Sequence, residues 1–264
     1  MALNNGWRPR VVALDVDGTV LDHDGSLPAE VHAAVRAVVD AGVPVVLATG
    51  RSWHSTLPVV EQLGLAGGSS VCSNGAVVVD FPPERIVRAV TFDPREVIEK
   101  VEAHAPGTLI AVEEIGRGYR LSGRFPEGDL TGEMVIEDVE QLSSRPVTRI
   151  ILRDPDRSDR DFVTLAEQLG LHGVQYYVGY SAWLDIAPEG VTKAAGLDEV
   201  VRSLGVDAAD VLAVGDGRND VEMLAWAGRG VAMGQAPVEV QQIADAVTGT
   251  YDDRGLVTEL RRWF

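Results

Sequence analysis

Short uninterrupted apolar runs alternate along this chain with longer stretches whose apolar residues recur at helical spacing. Residues 11–14 (Val-Val-Ala-Leu) predict a strand buried on both faces, as in a parallel sheet. Residues 29–41 place Val31, Ala34, Val35, Val38 and Val39 on one helical face, with Pro28 at the start and Gly42 at the end. An apolar strand at 43–47, a helix at 57–63 closed by Gly64 and a short strand at 70–72 continue the alternation. Strands at 77–79 and 86–90 flank Phe81-Pro82-Pro83-Glu84 and read as a hairpin.

The middle of the chain has a different rhythm. A helix is expected at 97–103, an antiparallel pair at 109–112 and 118–121 turning through Gly116, and a strand at 147–152. A helix at 161–169 and a hairpin of 174–178 with 182–186 come next. Hairpins with intervening helices indicate an α+β unit. From 194 the strand–helix alternation resumes: a helix at 194–204 closed by Gly205, a strand at 211–214, a short helix at 220–227, a strand at 230–233 and a helix at 238–244. The fold class expected is therefore α/β, a doubly wound, Rossmann-like parallel-sheet core made of 1–81 and 187–264, with 82–186 inserted as an α+β domain.

The polar segments at the ends of the buried strands point to chemistry. The first strand runs into Asp15-Val16-Asp17-Gly18-Thr19, the second into Thr49-Gly50-Arg51, and the strand at 211–214 into Gly215-Asp216-Gly217-Arg218-Asn219-Asp220. Parallel strands joined by right-handed crossovers bring their carboxyl ends to one edge, where open α/β sheets bind ligands. Carboxylates converging there repel one another unless a cation is present, and Mg²⁺ characteristically takes one or two carboxylates, several waters and substrate phosphate oxygens. Asp15 and Asp216 suit direct ligation, and Asp220 either ligates or orients a metal-bound water. Thr49 and Asn219 offer neutral donors to phosphate oxygens, and Gly18, Gly50 and Gly217 let the backbone turn sharply and approach an anion.

Charge and composition narrow the picture. The 264 residues carry a formal net charge of −17, which argues against nucleic acid or an anionic membrane surface as a partner. The same charge means that an anionic substrate needs a local cation. Among 23 basic residues only Lys100 and Lys193 are lysines. A chain that otherwise uses arginine draws attention to Lys193, a compact point charge just before a helix. Cys72 is the one cysteine, which excludes an internal disulfide and fits a reducing, cytoplasmic location. Residues 1–10 lack the apolar stretch of a signal peptide, and no run approaches the ~20 apolar residues of a membrane span.

In these segments the chain resembles the haloacid dehalogenase superfamily phosphatases. Asp15-Val16-Asp17-Gly18-Thr19 is similar to their first motif, Thr49-Gly50-Arg51 to the second, Lys193 to the third and Gly215 through Asp220 to the fourth. The insertion between the second and third motifs resembles the C2 cap of the Cof-like subfamily. Ser73-Asn74-Gly75-Ala76, Gly190-Val191-Thr192-Lys193 and Asp253-Arg254-Gly255-Leu256 resemble further signatures of that subfamily. Two positions depart from the pattern: Gln235 stands where Asn is usual and Ala194 where Gly is common.

The resemblance implies a Mg²⁺-dependent phosphomonoester hydrolase whose cap closes over a small phosphorylated metabolite, a sugar phosphate first. Asp15 would be the nucleophile that forms an aspartyl-phosphate, and Asp17 the general acid and base. Lys193 would stabilise charge on the transferring group. Asp15, the backbone carbonyl of Asp17, Asp216 and Asp220 would hold the metal, and Thr49, Gly50, Arg51, Asn74 and Asn219 would meet the phosphate. A monomer or small homo-oligomer is expected. The alternatives are a phosphomutase of the phosphomannomutase type and a non-catalytic phospho-ligand binder, against which the intact Asp17 speaks.

The remaining residues have structural readings. Packing or surface roles are expected for Trp53 and His54, and a small core for Tyr176, Tyr177, Tyr180 and Trp183. Glu113-Glu114 reads as a solvated face, and His23, His32, His104 and His172 show no metal-ligand spacing.

Overall fold

The computed structural model describes residues 6–22, 24–155, 159–170, 172–178 and 183–264. His23 and Tyr180, and residue 182 of the expected hairpin, lie outside them, as do the side chains of Tyr176 and Tyr177. The described chain forms two compact units, one of Met1–Arg51, Thr56–Arg88 and Thr192–Phe264, the other of Ser52–Ser55 and Ala89–Val191.

The first unit begins with β1 (Val11–Leu14), α1 (Ala29–Asp40), β2 (Val45–Ala48), α2 (Trp53–Gln62), β3 (Gly68–Cys72), β4 (Val77–Phe81) and β5 (Arg85–Ala89). The second unit holds α3 (Arg95–His104), β6 (Leu109–Glu114), β7 (Gly118–Leu121), β8 (Glu133–Ile136), α4 (Val139–Leu142), β9 (Ile150–Arg153), α5 (Asp159–Leu169), β10 (Val174–Val178) and β11 (Trp183–Pro188). The chain then returns to the first unit with α6 (Lys193–Ser203), β12 (Val211–Gly215), α7 (Val221–Trp226), β13 (Arg229–Ala232), α8 (Val238–Ile243), β14 (Ala246–Val247) and α9 (Gly255–Leu260).

The first unit's sheet runs β14-β13-β12-β1-β2-β3-β4-β5. It is parallel from β14 through β3, and β3 pairs antiparallel with β4. β1 aligns Leu14 with Val214 on one side and with Leu47 on the other. Strand order reverses at β1: β2 and β3 extend one way, β12 and β13 the other. That reversal is the topological switch point at which open α/β sheets bind ligands. All four β1 residues are fully buried, as the uninterrupted apolar run predicts. Val11 and Ala13 join Val46, Ala213 and, from α6, Leu197 and Val201 in one core.

Residues 82–88, read from sequence as the start of the insertion, belong to the first unit. A tight turn at 82–84 sends the chain back from β4 into β5, at the edge of the same sheet. α2 begins at Trp53, before the expected 57, and Ser52–Ser55 group with the second unit. Trp53 is buried and His54 exposed.

The second unit is a six-stranded sheet, β10-β11-β9-β6-β7-β8. Its Ile110, Ile150, Leu152 and Leu184 pack with Val97 and Val101 of α3 and Phe162 and Leu165 of α5. On the opposite face Ala111, Ile151 and Tyr119 cluster, with half-buried Trp183 against them. Glu113-Glu114 is not a solvated face. Successive strand residues point to opposite sides, and Glu113 is buried beside Arg149 and Thr148 while Glu114 pairs with Arg120 and Arg145. No helix among the described residues is long and apolar enough to cross a membrane.

Candidate active site

β1 delivers Asp15 to the switch point. Its N–H donates to the Val214 carbonyl at 3.0 Å, extending the ladder to β12, and the residue is only 5% exposed. The chain then turns tightly, with the Val16 carbonyl accepting from Val20 N at 2.9 Å and Leu21 N at 2.8 Å. Asp17 emerges from this turn with its side chain 57% exposed. Gly18 sits at φ +78°, and a Cβ there would lie 2.3 Å from Asp216 Oδ2, so the position requires glycine.

Lys193 is the first residue of α6, after Thr192, whose hydroxyl caps the helix by accepting from Ala195 N at 3.1 Å. The lysine is 0% exposed. Its Nζ donates to Asp15 Oδ1 and to Asp220 Oδ1, both at 2.6 Å. The other oxygen of Asp220 accepts from Asp216 N at 3.0 Å and Gly217 N at 2.9 Å. Asp220 therefore folds the loop after β12 and anchors the ammonium at the same time.

The carboxylates of Asp15, Asp216 and Asp220 offer oxygens all within 4.8 Å of one another. One buried ammonium faces three acids, and the imbalance shows in their protonation. Burial pushes Asp15 well above the usual carboxylate range; the Asp220 charge adds to the rise and Lys193 opposes it. Asp216 is pushed up to about 6, by burial first and Asp220 second, with a hydrogen bond from Gln235 pulling the other way. Burial alone would lower Lys193, but Asp15 and Asp220 more than offset it and hold the ammonium charged. A cluster of hard oxygen donors with residual negative charge fits a divalent cation such as Mg²⁺.

The other expected site residues converge on the same edge. Thr49 is fully buried, and its hydroxyl accepts from Arg51 N at 3.1 Å. The guanidinium of Arg51, expected at the phosphate, lies on Asp17. Ser73 N donates to the Arg51 carbonyl at 2.8 Å and Asn74 N to the Thr49 carbonyl at 3.1 Å, which ties the 73–75 turn to the second motif. Ser73 and Asn74 both take left-handed backbone conformations, φ 50° and 54°. Asn219 Nδ2 donates to Asn74 Oδ1 at 3.0 Å, and a Cβ on Gly50 would lie 3.1 Å from that oxygen. The sequence alone gives Gln235 no role. Its Nε2 lies 2.7 Å from the Gly18 carbonyl and 3.3 Å from Asp216 Oδ2. The signal for it was its place just after β13, a further parallel strand ending at this edge.

A family description of haloacid dehalogenase-like hydrolases matches residues 12–260. The chain belongs to this family. It is an enzyme, a haloacid dehalogenase-type phosphatase, as the names of its relatives agree. It is 28% identical to the HMP-PP phosphatase of Serratia proteamaculans, over 96% of this chain and 95% of that protein. It is 27% identical to the phosphoglycolate phosphatase of Methanothermobacter thermautotrophicus, over 96% and 98%. Among solved structures it resembles BT1666 of Bacteroides thetaiotaomicron, a phosphatase of the same superfamily, with TM-score 0.81 and 26% identity, covering 100% of this chain and 98% of that one. The strand-end carboxylates of this haloacid dehalogenase-like hydrolase all fall inside the matched range.

Proposed function

We propose that this enzyme is a Mg²⁺-dependent phosphomonoester hydrolase acting on a small phosphorylated metabolite, a sugar phosphate first, through an aspartyl-phosphate. The observation that carries the reading is buried Lys193 bridging Asp15 and Asp220 at 2.6 Å each, with Asp17 two residues from Asp15 and open to solvent. The relatives named as HMP-PP phosphatase and phosphoglycolate phosphatase support a small metabolite as substrate.

Each residue has a task in this reading. A carboxylate oxygen of Asp15 bonds to phosphorus while the bond from phosphorus to the leaving oxygen breaks. Asp17 gives that oxygen a proton, then takes one from the water that hydrolyses the acyl phosphate and regenerates Asp15. Lys193 neutralises charge on Asp15 and the transferring group, and Asp220 keeps the ammonium in place. Thr49, Gly50, Asn74 and Asn219 receive the phosphate oxygens. Asp15, the Asp17 carbonyl and Asp216 would hold Mg²⁺, with Asp220 ligating or orienting a bound water. When bound, the ion supplies electrostatic stabilisation of charge on the phosphoryl oxygens.

Phosphate release from a panel of metabolite monoesters, with Mg²⁺ and with chelator, tests the proposal. Turnover is expected only with the metal and is abolished in Asp15→Asn. Radiolabel retained on a sugar product without free phosphate would make the enzyme a mutase. Tight binding of phosphoesters without release would make it a binder.

A further inference from the structure

We propose that Gln235 is a positioning residue that fixes the Asp216 carboxylate for the divalent cation; the proposal rests on the reading that Asp216 holds that cation. The carboxamide is used at both ends. Oε1 accepts the backbone N–H of Tyr251 at 2.9 Å. A backbone N–H can only donate, so the oxygen must face Tyr251 and the NH₂ group must face the other way. Nε2 then donates to the Gly18 carbonyl at 2.7 Å and to Asp216 Oδ2 at 3.3 Å. One side chain thus ties the turn after β1, the loop after β12 and the segment before α9.

This arrangement confines Asp216 from two sides. The backbone of Gly18 lies so close that a Cβ there would meet Asp216 Oδ2 at 2.3 Å. Gln235 holds that same oxygen from the amide side and also holds Gly18 itself. The third anchor is rigid in its own right. Gly255 N donates to the Thr250 carbonyl and Arg254 N to the Tyr251 carbonyl, both at 2.9 Å, and Gly234 N donates to the Gly249 carbonyl at the same distance. The 249–255 turn is therefore fixed to the end of β13, and the amide spans a set distance from it to Asp216.

Reach distinguishes Gln from Asn here. Asn is shorter by one methylene. An amide pulled back that far cannot keep the Tyr251 N–H on one side and both Gly18 and Asp216 on the other. Outer partners of metal-binding carboxylates typically set roughly 10-fold to 100-fold in metal affinity.

The test measures metal binding without substrate. Mn²⁺ binding to the full-length protein is followed by the electron paramagnetic resonance signal of free Mn²⁺, and Mg²⁺ by its competition. Wild type, Gln235→Asn, Gln235→Ala and Asp216→Asn are compared, after circular dichroism in chelator establishes that each is folded. Gln235→Ala and Gln235→Asn are expected to weaken both metals roughly 10-fold or more, and Asp216→Asn to weaken them further. Should Gln235→Ala fail to fold, the milder Gln235→Asn carries the comparison. Affinities within twofold of wild type in the folded Gln235 variants, with Asp216→Asn defective, overturn the inference and leave the metal reading standing. Asp216→Asn binding as tightly as wild type overturns the metal reading and the inference with it.

Discussion

The guanidinium of Arg51 grips both carboxylate oxygens of Asp17, with Nη2 2.5 Å from Oδ1 and Nε 2.9 Å from Oδ2. A planar fork of this kind fixes the direction of a carboxylate as well as its place. Burial lowers the guanidinium pKa less than the Asp17 hydrogen bond raises it, so the cation is secure. If Asp17 protonates the leaving oxygen, Arg51 aims it. Arg51→Ala and Arg51→Lys should then slow release from alkyl monoesters by about 100-fold, a typical share for a misdirected general acid. Release from p-nitrophenyl phosphate, whose leaving group needs little proton, should fall far less. Equal losses on both substrates would assign Arg51 to the phosphoryl group instead.

Lys193→Ala removes the cation lying between Asp15 and Asp220, both of them buried. An ion cluster broken by loss of one partner typically costs about 3–5 kcal/mol, because the surviving charges stay desolvated. The variant should lose nearly all turnover. In chelator it should also unfold at a lower urea midpoint with an unchanged slope. Added Mg²⁺ should restore part of the stability and little of the activity. A wild-type midpoint would show that the bridge contributes nothing to the folded state.

The pH dependence has a definite sign. Asp216 sits at about 6 in the folded protein, against about 3.9 for an unperturbed aspartate. A folded pKa raised above the unfolded one means that the native state binds the proton more tightly. The associated stability is fully present below pH ~4 and is lost as pH rises through 6. In chelator, Asp216→Asn should therefore melt higher than wild type at pH 7.5, with the gap closing towards pH 4. A gap independent of pH would show that the Asp216 charge carries no strain in the metal-free fold.

Much of the core and its edge was legible because parallel strands, buried on both faces, read as continuous apolar runs. β1, β2 and β12 stand out in this way, and Asp15, Asp17, Thr49 and Asp216 are conspicuous as the polar residues at their carboxyl ends. Other features leave no periodic signal. β8 is an edge strand with all four residues exposed, β14 has two residues, and α4 spans four behind an Asp138–Gln141 capping box. The fork from Arg51 to Asp17 joins residues 34 apart, and the Gln235 amide reaches back 217 residues to Gly18. Spacing cannot show such contacts; only the sheet order brings them together. Glu113-Glu114 misled for the opposite reason: two adjacent acids resemble a surface run, but a strand turns them to opposite faces.

Arg149 joins two buried acids in one ionic cluster. It is buried in the second unit, with Nη1 3.2 Å from Asp185 Oδ2, Nε 3.3 Å from Glu113 Oε2 and Nη2 2.5 Å from the Tyr119 hydroxyl. Burial opposes its charge, but Tyr119, Asp185 and Glu113 together more than compensate and hold the guanidinium protonated. Arg149→Ala removes the cation that two buried carboxylates share and should destabilise the protein by about 3–5 kcal/mol. Adding Glu113→Gln and Asp185→Asn to that variant removes both carboxylate charges. If electrostatics sets the cost, the triple variant should recover most of the loss, although no arginine is restored. If packing sets it, the triple variant should be no more stable than Arg149→Ala, and Arg149→Met, which keeps most of the volume, should be the one that recovers. Urea unfolding of the four proteins at one pH, compared at the midpoint, separates the two cases.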